Sequence, residues 1–246
     1  MNKTAIKLTT LSLTTALSIT MLSGCTSSES GKATKEPPSP KVVNELYKRP
    51  EKIDYNMAEQ LLKEGNERFQ SNNILPDDIT INKRKDLVSN GQHPFAVVLT
   101  CSDSRVPPET LFDQGLGDIF VIRDAGNVID PVELGSIEYG VEHLGSPLVV
   151  VLGHDNCGAV KAAVEGGEPE GNIKDIVEKI KPSLEKAKHS CTDKDKLCEA
   201  CENENIKNSV AQIENDPIIK KLEKENKVKV VGAKYHLDTG VVSFES

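Results

Sequence analysis

Tryptophan is absent, and only four tyrosines, five phenylalanines and three methionines occur among 246 residues. So sparse an aromatic set offers neither a base-stacking platform for single-stranded nucleic acid nor an aromatic surface for carbohydrate. Positive charge is also in deficit. Thirty Lys and Arg face 38 Asp and Glu, for a formal net charge of −8, and no basic patch offsets the balance. Phosphate backbones are held by Lys- and Arg-rich faces, so nucleic acid is excluded as a partner and a small molecule fits better. The apolar run over residues 8–22 is too short and too rich in Thr to make a good membrane span. Internal repeats are absent as well. What remains is 37% hydrophobic and 28% charged residues, an ordinary globular balance that supports one sizeable core.

The N-terminus reads as a targeting segment. Lys3 and Lys7 supply a positive start, residues 8–22 an apolar centre, and Leu22-Ser23-Gly24-Cys25 an ending that resembles a bacterial lipobox. In that pattern the peptidase cuts before the cysteine, whose thiol receives a diacylglycerol. The resemblance implies a signal peptide over residues 1–24, lipidation of Cys25, and export to the outer face of a membrane. Residues 25–52, dense in Ser, Lys, Glu and Pro, read as a flexible solvated tether, and residues 53–246 as one folded domain.

The domain carries an α/β pattern. Residues 57–70 are an expected amphipathic helix with Leu61, Leu62 and Phe69 on one face, and a short helix is expected over 83–90. Continuous apolar runs at 95–101, 118–123 and 148–153 suit strands buried on both faces of a parallel sheet. Between the last two, residues 131–144 read as a crossover helix opened by Pro131, with Val132, Ile137, Val141 and Leu144 turned to the sheet. Helices are expected at 158–164, 173–188 and 205–225, then a strand over 227–235 and a last one over 240–244 after a hairpin turn. Alternation of this kind implies a mostly parallel sheet covered by helices, which binds ligands beyond the carboxyl ends of its strands.

Cys101-Ser-Asp-Ser-Arg105 and His154-Asp-Asn-Cys157 both fall at that edge of the sheet. Two thiolates and an imidazole suit Zn²⁺, and three protein ligands leave a fourth position for water or a carboxylate. His154 and Cys157 are expected to share a face at the start of a helix, where thiolates are also easier to form. Asp103 and Arg105 are placed to form a charge-assisted pair beside the metal. The spacing leaves two roles open for Asp103: aiming a metal-held nucleophile, or closing the site as a fourth ligand.

Cys-Ser-Asp-Ser-Arg-Val-Pro followed by Gly-His-Asp-Asn-Cys-Gly resembles the paired zinc motifs of the β-carbonic anhydrases, and Arg123-Asp-Ala-Gly-Asn127 and Ile137-Glu-Tyr-Gly140 strengthen the likeness. The resemblance implies a four-stranded parallel core with an extra edge strand, assembled as a homodimer or a dimer of dimers. It also implies one zinc on Cys101, His154 and Cys157, with Asp103 and Arg105 as a catalytic dyad. The implied reaction is the reversible hydration of carbon dioxide to bicarbonate and a proton, by hydroxide generated at the metal. In the plant-like subgroup that this sequence is similar to, Gln92 falls on a substrate-bonding glutamine. Phe120, Ala125, Tyr139 and Gly158 fall on the substrate pocket, part of it across the dimer interface. Ala125 stands where a branched residue is common. Val98 stands where members with a non-catalytic bicarbonate site carry Trp, so the resemblance implies no such regulation and an open site near neutral pH.

Two rival readings remain at this point. One is a carbonyl sulfide or carbon disulfide hydrolase of the same family. The other is a non-catalytic zinc or redox lipoprotein working through Cys198-Glu-Ala-Cys201, although a purely structural zinc would be closed by a fourth protein ligand and would need no dyad. Cys191, Cys198 and Cys201 lie in a polar stretch where a disulfide from Cys191 to Cys198 or Cys201 is the first expectation for an exported protein. His93, His143, His189 and His236 read as surface or structural residues, with His93 a candidate proton relay.

Overall fold

The computed structural model describes residues 50, 52–75 and 79–245, so the signal segment, Cys25 and nearly all of the tether lie outside the described residues. Five strands form one sheet in the order β2-β1-β3-β4-β5. They are β1 (Ala96–Cys101), β2 (Ile119–Asp124), β3 (Leu148–His154), β4 (Lys229–Tyr235) and β5 (Val242–Phe244). The first four pair in parallel and β5 closes antiparallel on β4. This is the expected α/β architecture of a parallel core plus an edge strand.

β1 and β3 are buried along their whole length, which is why they read as unbroken apolar runs. Alternate side chains feed two cores. Ala96, Val98, Leu148, Val150 and Leu152 pack with Ala58 and Leu62 of helix α1 (Tyr55–Gln70), with Leu61 and Phe69 at the margin. Asp54 starts that helix by accepting the Met57 N–H at 2.8 Å. A second helix, α2 (Ile81–Asn90), and one turn, α3 (Pro108–Leu111), flank β1 in sequence.

On the opposite face Val97, Leu99, Val149 and Val151 meet Ile137, Val141, Ile206, Ile213 and Ile219. Ile137 belongs to α4 (Pro131–Glu138), where Pro131 takes the first helical position and Asp130 caps. The expected helix over 131–144 runs only to Glu138 as α-helix and finishes as a π turn, Tyr139–His143. Val132, expected against the sheet, is instead exposed in the first turn of α4, and only Ile137 of that helix is buried.

After β3 come α5 (Gly158–Glu165) and α6 (Ile173–Ser190), close to expectation. The helix expected over 205–225 is two: α7 (Leu197–Asn215) and α8 (Pro217–Lys224). Pro217 lacks the N–H a continuing helix needs, so the chain breaks at Asp216, whose carboxylate caps α8 through Ile218 N and Ile219 N. α7 also begins earlier than expected and carries Cys198 and Cys201 on regular helix. It lies hard against β3: a Cβ added to Gly153 would meet Ile206 Cγ1 at 2.5 Å. All five described cysteines are free thiols, so the expected disulfide at Cys191 is corrected. Cys201 is buried inside the α5–α6–α7 cluster, with half-buried Cys198 packed against its margin. Among the described residues, no helix is long and apolar enough to cross a membrane.

Candidate metal centre

In the strand order, β1 has β2 on one side and β3 on the other, so the chain leaves the ends of β1 and β3 in opposite directions. Parallel sheets open a crevice at such a point. Cys101 is the last residue of β1 and His154 the last of β3. A tight turn through Asp155 and Asn156, the latter at φ +54, delivers Cys157 to the position before α5. His154 and Cys157 therefore converge through this turn, not along one helix face as expected. The three donor atoms lie within 4.8 Å of one another, and the residues are 5%, 1% and 2% exposed.

Several details of this cluster fit a cation. His154 Nδ1 donates to the Asp155 carbonyl at 2.8 Å, which fixes the tautomer and leaves Nε2 with a lone pair. That Nε2 is buried with no hydrogen-bond partner among the described residues. Cys157 donates to the Cys101 sulfur. Cys101 is thereby held down to about 4 against the opposing effect of burial, with help from His154 and the Gly126 N–H at 3.3 Å. Cys157 is driven the other way, chiefly by that same bond to Cys101 and then by burial. The two sulfurs are thus unequal, one held as thiolate and one as thiol, and a divalent ion held by both would displace the remaining proton. The backbone N–H groups of Ala159 and Val160 also point to Cys157, lowering the charge the sulfur presents. Burial alone would depress the His154 imidazole; the neighbouring Cys101 sulfur with its charge and the Asp155 carbonyl hold it above its ordinary value.

Asp103 and Arg105 form the expected pair. Arg105 donates Nε to Oδ1 at 2.9 Å and Nη2 to Oδ2 at 2.7 Å, and its backbone N–H adds a third bond at 2.9 Å. The Arg105 side chain pulls the Asp103 carboxyl down to about 2. Asp103 Oδ2 stands 4.0 Å from His154 Nε2. Arg123, to which the sequence assigned no role, donates to the carbonyls of Cys101 at 3.1 Å and Asp103 at 2.7 Å, tying the loop to β2.

The expected pocket residues divide. Ala125 adjoins Gly126 at the sulfur of Cys101, and Gly158 follows Cys157, where an added Cβ would meet nothing within 4 Å. Gln92, Phe120 and Tyr139 are not brought to the metal cluster. Phe120 lies four residues upstream of the end of β2, about 13 Å along the strand. It packs with Tyr139 at 6.1 Å between ring centroids, and Gln92 and Tyr139 line a separate cavity with His93 and His143. His93 is exposed and bonded only locally, to Asn90. His236, read as a surface or structural residue, has two partners: its Nδ1 meets Asp155 Oδ2 at 3.0 Å and its Nε2 meets Ser243 Oγ at 3.1 Å.

The carbonic anhydrase family model matches residues 96–242. A carbonic anhydrase of Mycolicibacterium smegmatis is 44% identical, covering 77% of this chain and 92% of its own length. The mitochondrial beta carbonic anhydrase 6 of Arabidopsis thaliana is 31% identical, covering 80% of this chain and 73% of its own. The solved β-carbonic anhydrase CafA of Aspergillus fumigatus superposes with a TM-score of 0.61 at 26% identity, covering 67% of this chain and 83% of that one. The chain therefore belongs to the carbonic anhydrase family. Its sheet and its donor set of two cysteines and one histidine are those of the β class, whose cofactor is zinc.

Proposed function

We propose that this chain catalyses zinc-dependent hydration of carbon dioxide with Cys101, His154 and Cys157 as the metal ligands and Asp103 and Arg105 as the catalytic dyad. The observation that carries this reading is the buried donor triad with His154 Nε2 unpartnered among the described residues. Zinc, when bound, supplies a Lewis acid that lowers the pKa of water and so provides a nucleophile at moderate pH. Asp103, held ionised by Arg105, keeps a lone pair on Oδ2 and accepts a hydrogen bond from the attacking water instead of removing its proton. Fixing that acceptor aims the nucleophile, a gain in orientation. Because Arg105 engages both oxygens of Asp103, the open arrangement is favoured over one in which Asp103 closes the site. Ala125 and Gly158 flank the substrate space on the metal side.

Gln92, Phe120 and Tyr139 serve the pocket across an interface between two copies of the chain. Their distance from the triad within one chain supports this, as do Val132 and Tyr139, exposed at 72% and 46%. The chain acts as a homodimer or dimer of dimers, held at the outer face of a membrane through the lipid on Cys25. The support for that location is the lipobox-like sequence ahead of Cys25.

The test is stopped-flow hydration with zinc analysis, on protein lacking residues 1–25. About one zinc per chain is expected, with rapid hydration that falls about 10²-fold or more in Asp103→Ala while zinc is retained. A zinc-loaded protein inactive at pH 7 to 9 would overturn the reading and direct attention to carbonyl sulfide and carbon disulfide.

A further inference from the structure

A buried charge network grips both ends of the turn that carries two of the three metal ligands. Lys234 on β4 is 7% exposed and Glu202 on α7 is 5% exposed. The Lys234 ammonium reaches Glu202 Oε2 at 3.0 Å, Asn203 Oδ1 at 2.9 Å and Asp155 Oδ1 at 3.2 Å. Its three protons therefore meet three acceptors. Glu202 turns its other oxygen to the backbone N–H of Cys157, 3.1 Å away. Asp155 offers its carbonyl to the His154 ring and its second carboxylate oxygen to His236. One arm of the network thus ends on the peptide of Cys157 and the other beside the imidazole of His154.

A buried ion pair seldom adds stability over well-packed apolar groups of equal volume, since both charges lose their water. What it does impose is position. The 154–157 turn follows a strand and precedes a helix, and without a tether nothing in its own backbone would hold Cys157 N against α7. We propose that Glu202 and Lys234 are positioning residues that lock this turn so that His154 Nε2 and Cys157 Sγ converge on the metal. The inference rests on the zinc assignment above. It adds a requirement from β4 and α7, which supply no ligand.

Zinc release to excess chelator, together with kcat and KM for hydration, is to be measured for the wild-type holoenzyme, Glu202→Ala, Glu202→Gln and Lys234→Arg. Glu202→Ala removes the acceptor from Cys157 and is expected to release zinc about tenfold faster or more, with kcat reduced and KM little changed. Glu202→Gln keeps an acceptor without the charge and falls between. Lys234→Arg, which preserves the ion pair, returns release to within about threefold of wild type. Release and kcat within about twofold of wild type in Glu202→Ala would overturn the proposal. Should that variant not fold, Glu202→Gln decides: faster release supports the lock and wild-type release overturns it. A wild-type protein without zinc or without hydration would instead overturn the functional assignment, and the two failures are told apart by that control.

Discussion

The metal cluster and the cavity around Tyr139 are built on opposite terms. Cys101 and His154 end two strands that are buried from end to end, and Cys157 is held by a turn sealed beneath α7. Gln92 and Tyr139 line an open cavity together with exposed apolar side chains such as Val88 and Leu116. One region is complete within a single chain and the other ends at its surface. The contrast teaches that holding the metal and enclosing the substrate are separable tasks on the proposed reading, the first a property of the fold and the second of a pairing between two copies.

The strongest challenge to this contrast is Cys157→Ala. Removing one of three donors is expected to abolish zinc binding and hydration together, read by metal analysis and stopped flow; retained zinc with full activity would mean the buried region is not the metal site. A smaller effect is expected from Val132→Asp, which sets a charge on an exposed apolar position of α4. Self-association should weaken about thirtyfold, the ~2 kcal/mol of an interface anchor, while zinc content stays at wild type. Sedimentation and zinc analysis on the same samples check this, and loss of zinc on dissociation would merge the two tasks.

The mildest effect concerns Asp124, at the end of β2 between the two regions. Burial pushes its carboxyl up to about 7, one oxygen accepting from Val128 N and the other lacking a partner among the described residues. A carboxyl raised on folding binds its proton more tightly in the native state. Its contribution to stability is therefore greatest below pH 4 and declines as pH rises to about 7, then levels off. Asp124→Asn removes that slope. Its thermal midpoint relative to wild type should rise between pH 4 and pH 7.5, and an unchanged difference would show that Asp124 is already ionised in the native protein.

Much of the sheet was legible because strands buried on both faces leave a distinctive unbroken apolar run, and the ligands were legible because such runs end in them. The start of α7 was not. Its inward face mixes Cys201, Glu202, Asn205, Ile206 and Ser209, so polar groups satisfied by Gly126 O, Asn127 O and Lys234 read in sequence as solvent-facing. Glu202 and Lys234 gave no signal either, since their pairing joins elements 32 residues apart. The register of the 154–157 turn was misassigned for a related reason: three-residue spacing is shared by a helix face and by a turn with one residue at positive φ.

The described cysteines also sort themselves by depth. Cys191 and Cys198 keep partial access to solvent, while Cys101, Cys157 and Cys201 are buried, and desolvation drives the Cys201 thiol up to about 12. Sulfur reactivity follows access and thiolate character. An alkylating reagent added to the native chain should therefore modify two of these five sulfurs first, two more only as zinc departs, and the last only as α7 comes away from α5 and α6. The protein thus carries within its own sequence a graded chemical gauge, which separates loss of its metal from loss of its fold.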